Sequence, residues 1–387
     1  MGVLGWGAGA EIASGSGSSL VGGDTEPTLG VESGASGMEG FAVPQPGRVF
    51  QFPRDHGSHP EFRIEWWYLT GHLWDERRRR YGFQATFFRT AAPRSVEAKG
   101  SIGFGLGQLH LAHMALLDVG TGRFLHEERL NREGWDAGAS MTALGVTNGN
   151  WSLQGDPGEG TGMRLVGGIR AEVRWDLSLV PSKPLVVFGK DGVSRKGDDP
   201  SAASHYLTFP RLKVEGRLEY EGREQQVRGQ AWMDHEFSSS QLTADQVGWD
   251  WASVQLNDGR EVMAYRMRRR DGTTDRHSTL AWVDRDGTVT QWGPDRYRLE
   301  PIATWRSPRT GGEYPLGLIL ETEDPETGEA VVWRLEPLAV DQELSGAIGG
   351  VPYWEGACRV MDTSGRQVGE AFVELTGYAG DLAGRLR

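Results

Sequence analysis

The chain runs to 387 residues, more than one ordinary core holds and a length that suits two domains. Its 41 basic and 53 acidic residues leave a net charge of −12, which argues against nucleic acid or an anionic membrane surface as the main partner. Cys358 stands alone, excluding an intramolecular disulfide and a thiolate metal cage, and no window reaches the roughly eighteen apolar residues of a membrane-spanning helix.

Residues 1–40 are rich in glycine, serine and glutamate and read as a disordered leader. The first 23 residues lack a basic region and a continuous apolar stretch, so they do not read as an export signal. Residues 62–70 form the first expected strand, aromatic and β-favouring, ended by Gly71. On a period of two, Glu65, Trp67 and Leu69 share one face and Trp66, Tyr68 and Thr70 the other. Residues 75–80 are a charged turn, and 81–89 return as a strand with Gln84, Thr86 and Phe88 on one face. Neither face of this pair is polar, so both must be covered. Residues 106–117 carry His110 and His113. Read as a strand, they send the two imidazoles to opposite faces and leave no metal pair. Residues 124–132 and 134–139 look irregular.

From Val146 the pattern is a meander, with strands at 150–154, 163–167, 171–179 and 206–220. Residues 181–203 are a long polar connection suited to a cavity mouth. Residues 227–232 lead into Asp234-His235-Glu236, an acid, an imidazole and an acid between Trp232 and Phe237, followed by a polar turn at Ser238-Ser239-Ser240. Strands at 248–256 and 261–269 flank an Asn257-Asp258-Gly259 hairpin. Further strands are expected at 279–283, 289–292, 316–321, 331–335, 357–361 and 369–375, with 340–344 a short helical or irregular passage. The architecture is therefore all-β, two antiparallel barrels or highly curved sheets.

Three adjacent ionisable residues are expensive to bury unless they are used. If extended, the run puts Trp232, Asp234 and Glu236 on one face and His235 and Phe237 on the other, and one set enters a cavity. Trp249 and Trp251 share a face; they stack a ligand or fill a core. The run serves either as a catalytic site or as an ion network at a domain junction. Gly103-x-Gly105-x-Gly107 lacks the strand-turn-helix setting of a nucleotide loop, no Gly-x-Ser-x-Gly elbow is present, and no metal-ligand spacing is recognised. No cofactor or metal is expected.

Glu65-Trp66-Trp67-Tyr68-Leu69-Thr70-Gly71, Tyr81-Gly82-Phe83-Gln84-Ala85-Thr86, Gly229 to Phe237, Gly248-Trp249-Asp250-Trp251 and Tyr353-Trp354-Glu355-Gly356 follow in order. This combination resembles the carotenoid 1,2-hydratase-like (CrtC/AttH-like) family, often labelled predicted secreted hydrolases. The resemblance implies two lipocalin-like domains, here 41–236 and 237–380. It also implies an apolar isoprenoid or polyketide-like ligand that is hydrated or isomerised by acid chemistry, or shaped for cyclisation. A non-catalytic lipocalin-like carrier is the alternative. On that reading Asp234, His235 and Glu236 are the catalytic candidates. Glu65, Trp67, Tyr68, Gln84, Thr86, Trp232, Phe237, Trp249, Trp251 and Tyr265 are the ligand-binding ones. The expected partner is a hydrophobic small molecule. The resemblance implies a periplasmic or secreted protein, whereas the missing export signal leaves the cytoplasm open. Residues 262–267 contain no acid where the hydratase branch has one.

Overall fold

In a computed structural model, residues 40–91, 107–134, 136–156, 161–346, 351–380 and 382 are described. The expected leader, except Gly40, and Gly103 and Gly105 lie outside them. The first sheet comprises β1 (Ile64–Asp75), β2 (Arg80–Ala91), β3 (Gln108–Asp118), β4 (Arg123–Arg132), β5 (Ala137–Ala139), β6 (Gly145–Asn148), β7 (Trp151–Gly155), β8 (Met163–Ile169), β9 (Val173–Pro181), β10 (Val186–Phe188), β11 (Ser194–Arg195), β12 (Ala203–Tyr220) and β13 (Arg223–Ser240). The second comprises β14 (Gln246–Leu256), β15 (Glu261–Arg269), β16 (Thr279–Val283), β17 (Val289–Trp292), β18 (Arg298–Arg306), β19 (Glu313–Glu323), β20 (Ala330–Pro337), β21 (Glu343–Leu344), β22 (Tyr353–Met361) and β23 (Gln367–Leu375). Their ladders are antiparallel. The all-β expectation is met, with no α-helix among the described residues and none long and apolar enough to cross a membrane.

The first sheet runs β4-β3-β2-β1-β13-β12-β9-β8-β7-β6-β5 and curls into a nearly closed barrel. Near its two edges, Asn131 Nδ2 of β4 donates to Asn148 Oδ1 of β6 at 2.7 Å. Trp67, Phe83, Phe87, Met114, Trp151 and Trp175 fill the interior, so the barrel is a packed core rather than a ligand cup. The second sheet runs β17-β16-β15-β14-β23-β22-β20-β19-β18 around its own core of Val254, Trp282, Leu318, Leu335 and Trp354. A third cluster, including Tyr68, Trp232, Trp251, Met263 and Tyr265, joins residues of the two sheets.

Several expectations need correction. Gly71 does not end β1. It lies inside the strand because a Cβ there would sit 2.4 Å from the Gln230 carbonyl, so the glycine serves close backbone approach. Ser238-Ser239-Ser240 are not a turn; β13 continues through them, and Ser238 Oγ donates to the Ala203 carbonyl at 2.6 Å. Residues 124–132, expected to be irregular, fall within β4. The connection 181–203 carries β10 and β11, both paired to β12. Residues 340–344 include β21 rather than a helical turn. β18 was not expected at all.

Candidate functional site

Cross-strand partners in an antiparallel sheet point to the same side. Across β3, β2, β1, β13 and β12 the register therefore builds one row of His113, Thr86, Tyr68, Asp234 and Thr208. A second row is Leu111, Phe88, Trp66, Glu236 and Tyr206. Both rows lie on the face opposite the packed interior. In the second sheet Tyr265, Trp251, Glu374 and Glu355 are successive register partners across β15, β14, β23 and β22. The two faces enclose a cavity of about 280 Å³.

Aromatic rings dominate the wall: Trp66, Tyr68, Phe88, Tyr206, Trp249, Trp251, Tyr265 and Tyr353. Into this apolar setting project Asp234, Glu236 and Glu374, with Lys196 beside them. Asp234 accepts from Tyr206 Oη (2.7 Å), Thr208 Oγ1 (2.6 Å) and Trp232 Nε1 (2.7 Å). Burial nevertheless pushes its carboxyl up to about 7, against those hydrogen bonds and with the help of the Glu236 charge. Glu374 accepts from Trp249 Nε1 at 2.8 Å, and burial, aided by Glu236, lifts it to about 7 as well. Glu236 is also raised by burial, although Lys196 Nζ at 3.3 Å opposes the rise.

Glu355 stands directly opposite Glu374 across β22 and β23, an arrangement of like charges that an exposed sheet disfavours. It is fully buried, its Oε1 accepts from Tyr68 Oη at 2.6 Å, and its Oε2 has no partner among the described residues. Burial first, and Glu374 second, hold its pKa well above the usual carboxylate range. On the facing wall His113 Nδ1 lies 2.8 Å from Tyr353 Oη, and burial lowers that imidazole to about 4. The wall thus carries carboxyls whose neutral form burial favours.

His235 turns the other way. Its ring stacks on Trp67 at 4.8 Å, and its Nε2 lies 2.9 Å from Glu65 Oε1. Glu65 also receives Ser58 Oγ (2.9 Å), the His59 backbone N–H (2.9 Å) and Arg89 Nε (2.9 Å), while His59 Nδ1 lies 2.8 Å from Oε1. These bonds and the guanidinium overcome burial and hold Glu65 well below the usual carboxylate range. His59, Glu65 and His235 place three potential metal-ligand atoms within 4.8 Å of one another. Both oxygens of Glu65, however, already face donors, Arg89 among them, so the protein supplies the compensating positive charge itself.

Of the residues singled out in the sequence, Asp234, Glu236, Tyr68, Thr86, Trp249, Trp251 and Tyr265 line the cavity. Glu65, Trp67, His235 and Phe237 belong to the opposite face, where Phe237 stacks on His59 at 3.6 Å. Trp232 and Gln84 stand just behind the wall. Trp232 bonds Asp234, while Gln84 Nε2 donates to Thr86 Oγ1 and lies 3.4 Å from Tyr353 Oη. His110 and His113 do face opposite ways, but His113 reaches the cavity. Sequence reading missed Lys196, Tyr206, Tyr353, Glu355 and Glu374. The signal for the last two was a glutamate inside each of two apolar strands of the second half.

The family model for AttH-like proteins matches residues 43–378. The chain belongs to the AttH-like family. Among solved structures, an AttH-assigned protein from Nitrosomonas europaea is 36% identical, with 87% of this chain and 100% of that chain covered and a TM-score of 0.77. Kievitone hydratase from Nectria haematococca shares the fold at 15% identity and a TM-score of 0.65, covering 89% of this chain and 99% of that one. CghA in complex with Sch210972 does so at 14% identity and a TM-score of 0.50, covering 89% and 98%. No curated protein matches. The AttH-like match spans both sheets and so takes in every residue of the cavity wall except Leu382.

Proposed function

We propose that this AttH-like protein is an enzyme that adds water to, or isomerises, an alkene of an apolar isoprenoid or polyketide-like ligand by acid chemistry. The observation that carries the reading is the pair Asp234 and Glu374, both pushed up to about 7 in one aromatic cavity. Hydration needs a proton delivered to one alkene carbon, water attacking the cationic neighbour, and a base to take the proton from the oxonium. With both carboxyls near 7, each is present in protonated and in ionised form at neutral pH, so the cavity can supply both the acid and the base that sequence uses. The ring faces of Trp249, Trp251 and Tyr68 stabilise the passing cation. Asp234 is the preferred acid, because Tyr206 and Thr208 hydroxyls fix both of its oxygens. Tyr68 is no second acid: its hydroxyl donates to Glu355 Oε1, and burial, Glu355 and Glu374 hold its pKa well above the usual phenol range, so its part is the ring face.

Kievitone hydratase, by its name a hydratase on the same fold, is consistent with this chemistry but does not set the substrate. The test is incubation of the full chain with farnesol, whose trisubstituted alkenes form stabilised cations, in H2¹⁸O and separately in D2O. Incorporation of one heavy oxygen, or of deuterium at an alkene carbon, supports the enzyme. Saturable farnesol binding with neither label incorporated favours the carrier.

A further inference from the structure

Lys196 is the group of the cavity wall that alkene protonation leaves unused. It follows β11, and its backbone is pinned: its N–H donates to the Ala202 carbonyl at 2.7 Å, and its own carbonyl accepts from Gln246 Nε2 at 2.7 Å. The side chain enters the cavity from that fixed point and is 6% exposed. An ammonium carries three donors. Among the described residues Lys196 Nζ makes one hydrogen bond, to Glu236 Oε2, at a long 3.3 Å. The ring faces of Tyr206 and Tyr265, 4.8 and 4.4 Å away, favour the charge but offer no lone pair. A buried ammonium with unspent donors is costly until an oxygen acceptor completes its shell.

The surrounding wall decides which acceptor fits. Burial drives the carboxyls of Asp234 and Glu374 up to about 7, so below that pH they meet a ligand mostly as neutral acids able to donate hydrogen bonds. Burial works against the ammonium too, but Glu236 and Tyr265 outweigh it and Lys196 keeps its proton. A cationic ligand head would face that ammonium, whereas an anionic head would satisfy it.

We propose that the ligand has an apolar body and one acidic oxygen head, a carboxylate, phenolate or enolate, seated on Lys196 Nζ between the rings of Tyr206 and Tyr265. Glu236, already raised by burial, takes up a proton as the head replaces it on the ammonium. This rests on the reading of the cavity as a site for apolar ligands.

Calorimetric titration of the full chain at pH 6 with dodecanoate, dodecanol and dodecylammonium separates the two ideas. The wild type is expected to bind dodecanoate roughly ten-fold tighter than dodecanol, or more, with dodecylammonium weakest. Lys196→Met is expected to bind dodecanol as the wild type does and to lose the preference for dodecanoate. Lys196→Arg should recover part of it. Equal wild-type affinity for dodecanoate and dodecanol, or tightest binding of dodecylammonium, overturns the anionic head and leaves the apolar cavity standing. A wild type that binds none of the three overturns both.

Discussion

Asp234→Asn is expected to lower turnover of any substrate the protein hydrates by about 10²–10⁴-fold, the usual range for a lost general acid. Affinity for a neutral apolar ligand should stay within about two-fold, because the asparagine fills the same space, keeps Oδ1 as acceptor for Thr208 and Trp232, and faces its amide N–H to Tyr206, whose hydroxyl can turn to accept. The wild-type rate should carry the matching pH dependence. The proton-donating form of Asp234 predominates below about 7 and the proton-accepting form of Glu374 above it, so turnover should peak near 7 and decline on either side. Stability follows the sign of the Asp234 limb. A carboxyl whose folded pKa is raised above its unfolded one adds stability below the unfolded value, which is lost as pH rises through the folded one. Removing it in Asp234→Asn should therefore flatten the loss of stability between about pH 4 and 7. A variant that binds the ligand and turns it over at the wild-type rate removes Asp234 from the chemistry.

Glu65→Gln is expected to act on stability instead. The substitution leaves the Arg89 guanidinium, 1% exposed, with no carboxylate beside it, and takes an anion from between His59 and His235. Breaking a buried charge pair in this way costs about 3–5 kcal/mol. In a chain of this size that lowers the melting temperature by roughly 5 °C. Glu65 lies below the usual carboxylate range in the folded state, so its stabilisation is complete above the unfolded pKa and fades as pH falls through the folded one. The difference between Glu65→Gln and wild type should accordingly shrink on acidification. Thermal unfolding at pH 7 and pH 3 measures both. A variant that melts with the wild type at pH 7 would show that the Arg89–Glu65 network is dispensable.

The contrast between Asp234 and Glu65 shows what the sequence could and could not say. Alternation along β1 and β13 separated Trp66 and Tyr68 from Glu65 and Trp67, and Asp234 and Glu236 from His235 and Phe237. Which set enters the cavity depends on the side where the second sheet packs, a contact that joins residues as far apart in sequence as Tyr68 and Glu355. Glu355 and Glu374 were hidden for a related reason, because their opposition exists only once β22 and β23 are in register. β18 and β4 escaped notice for the opposite cause. β18 is an edge strand with most residues exposed, and β4 alternates few apolar residues among charged ones, so neither carries the inside-outside pattern that marks a strand. The second-half hairpins, by contrast, announce themselves through Asp-Gly turns, and β15, β16 and β17 fall at the expected residues.

Lys196 was invisible for a third reason. It sits in a stretch of glycine, serine and charge that reads as solvent-exposed loop, and only pairing of β11 to β12 carries its side chain inward. The polar connection at the cavity mouth thereby becomes part of the wall.

The most direct measurement is the titration of the Asp234 carboxyl itself, by infrared difference spectroscopy of the wild type against Asp234→Asn. A protonated carboxyl band that disappears with a midpoint near 7 is the result expected of an acid held neutral by its aromatic cavity. A midpoint in the ordinary carboxylate range, near 4, would mean that Asp234 is ionised at working pH and has no proton to give.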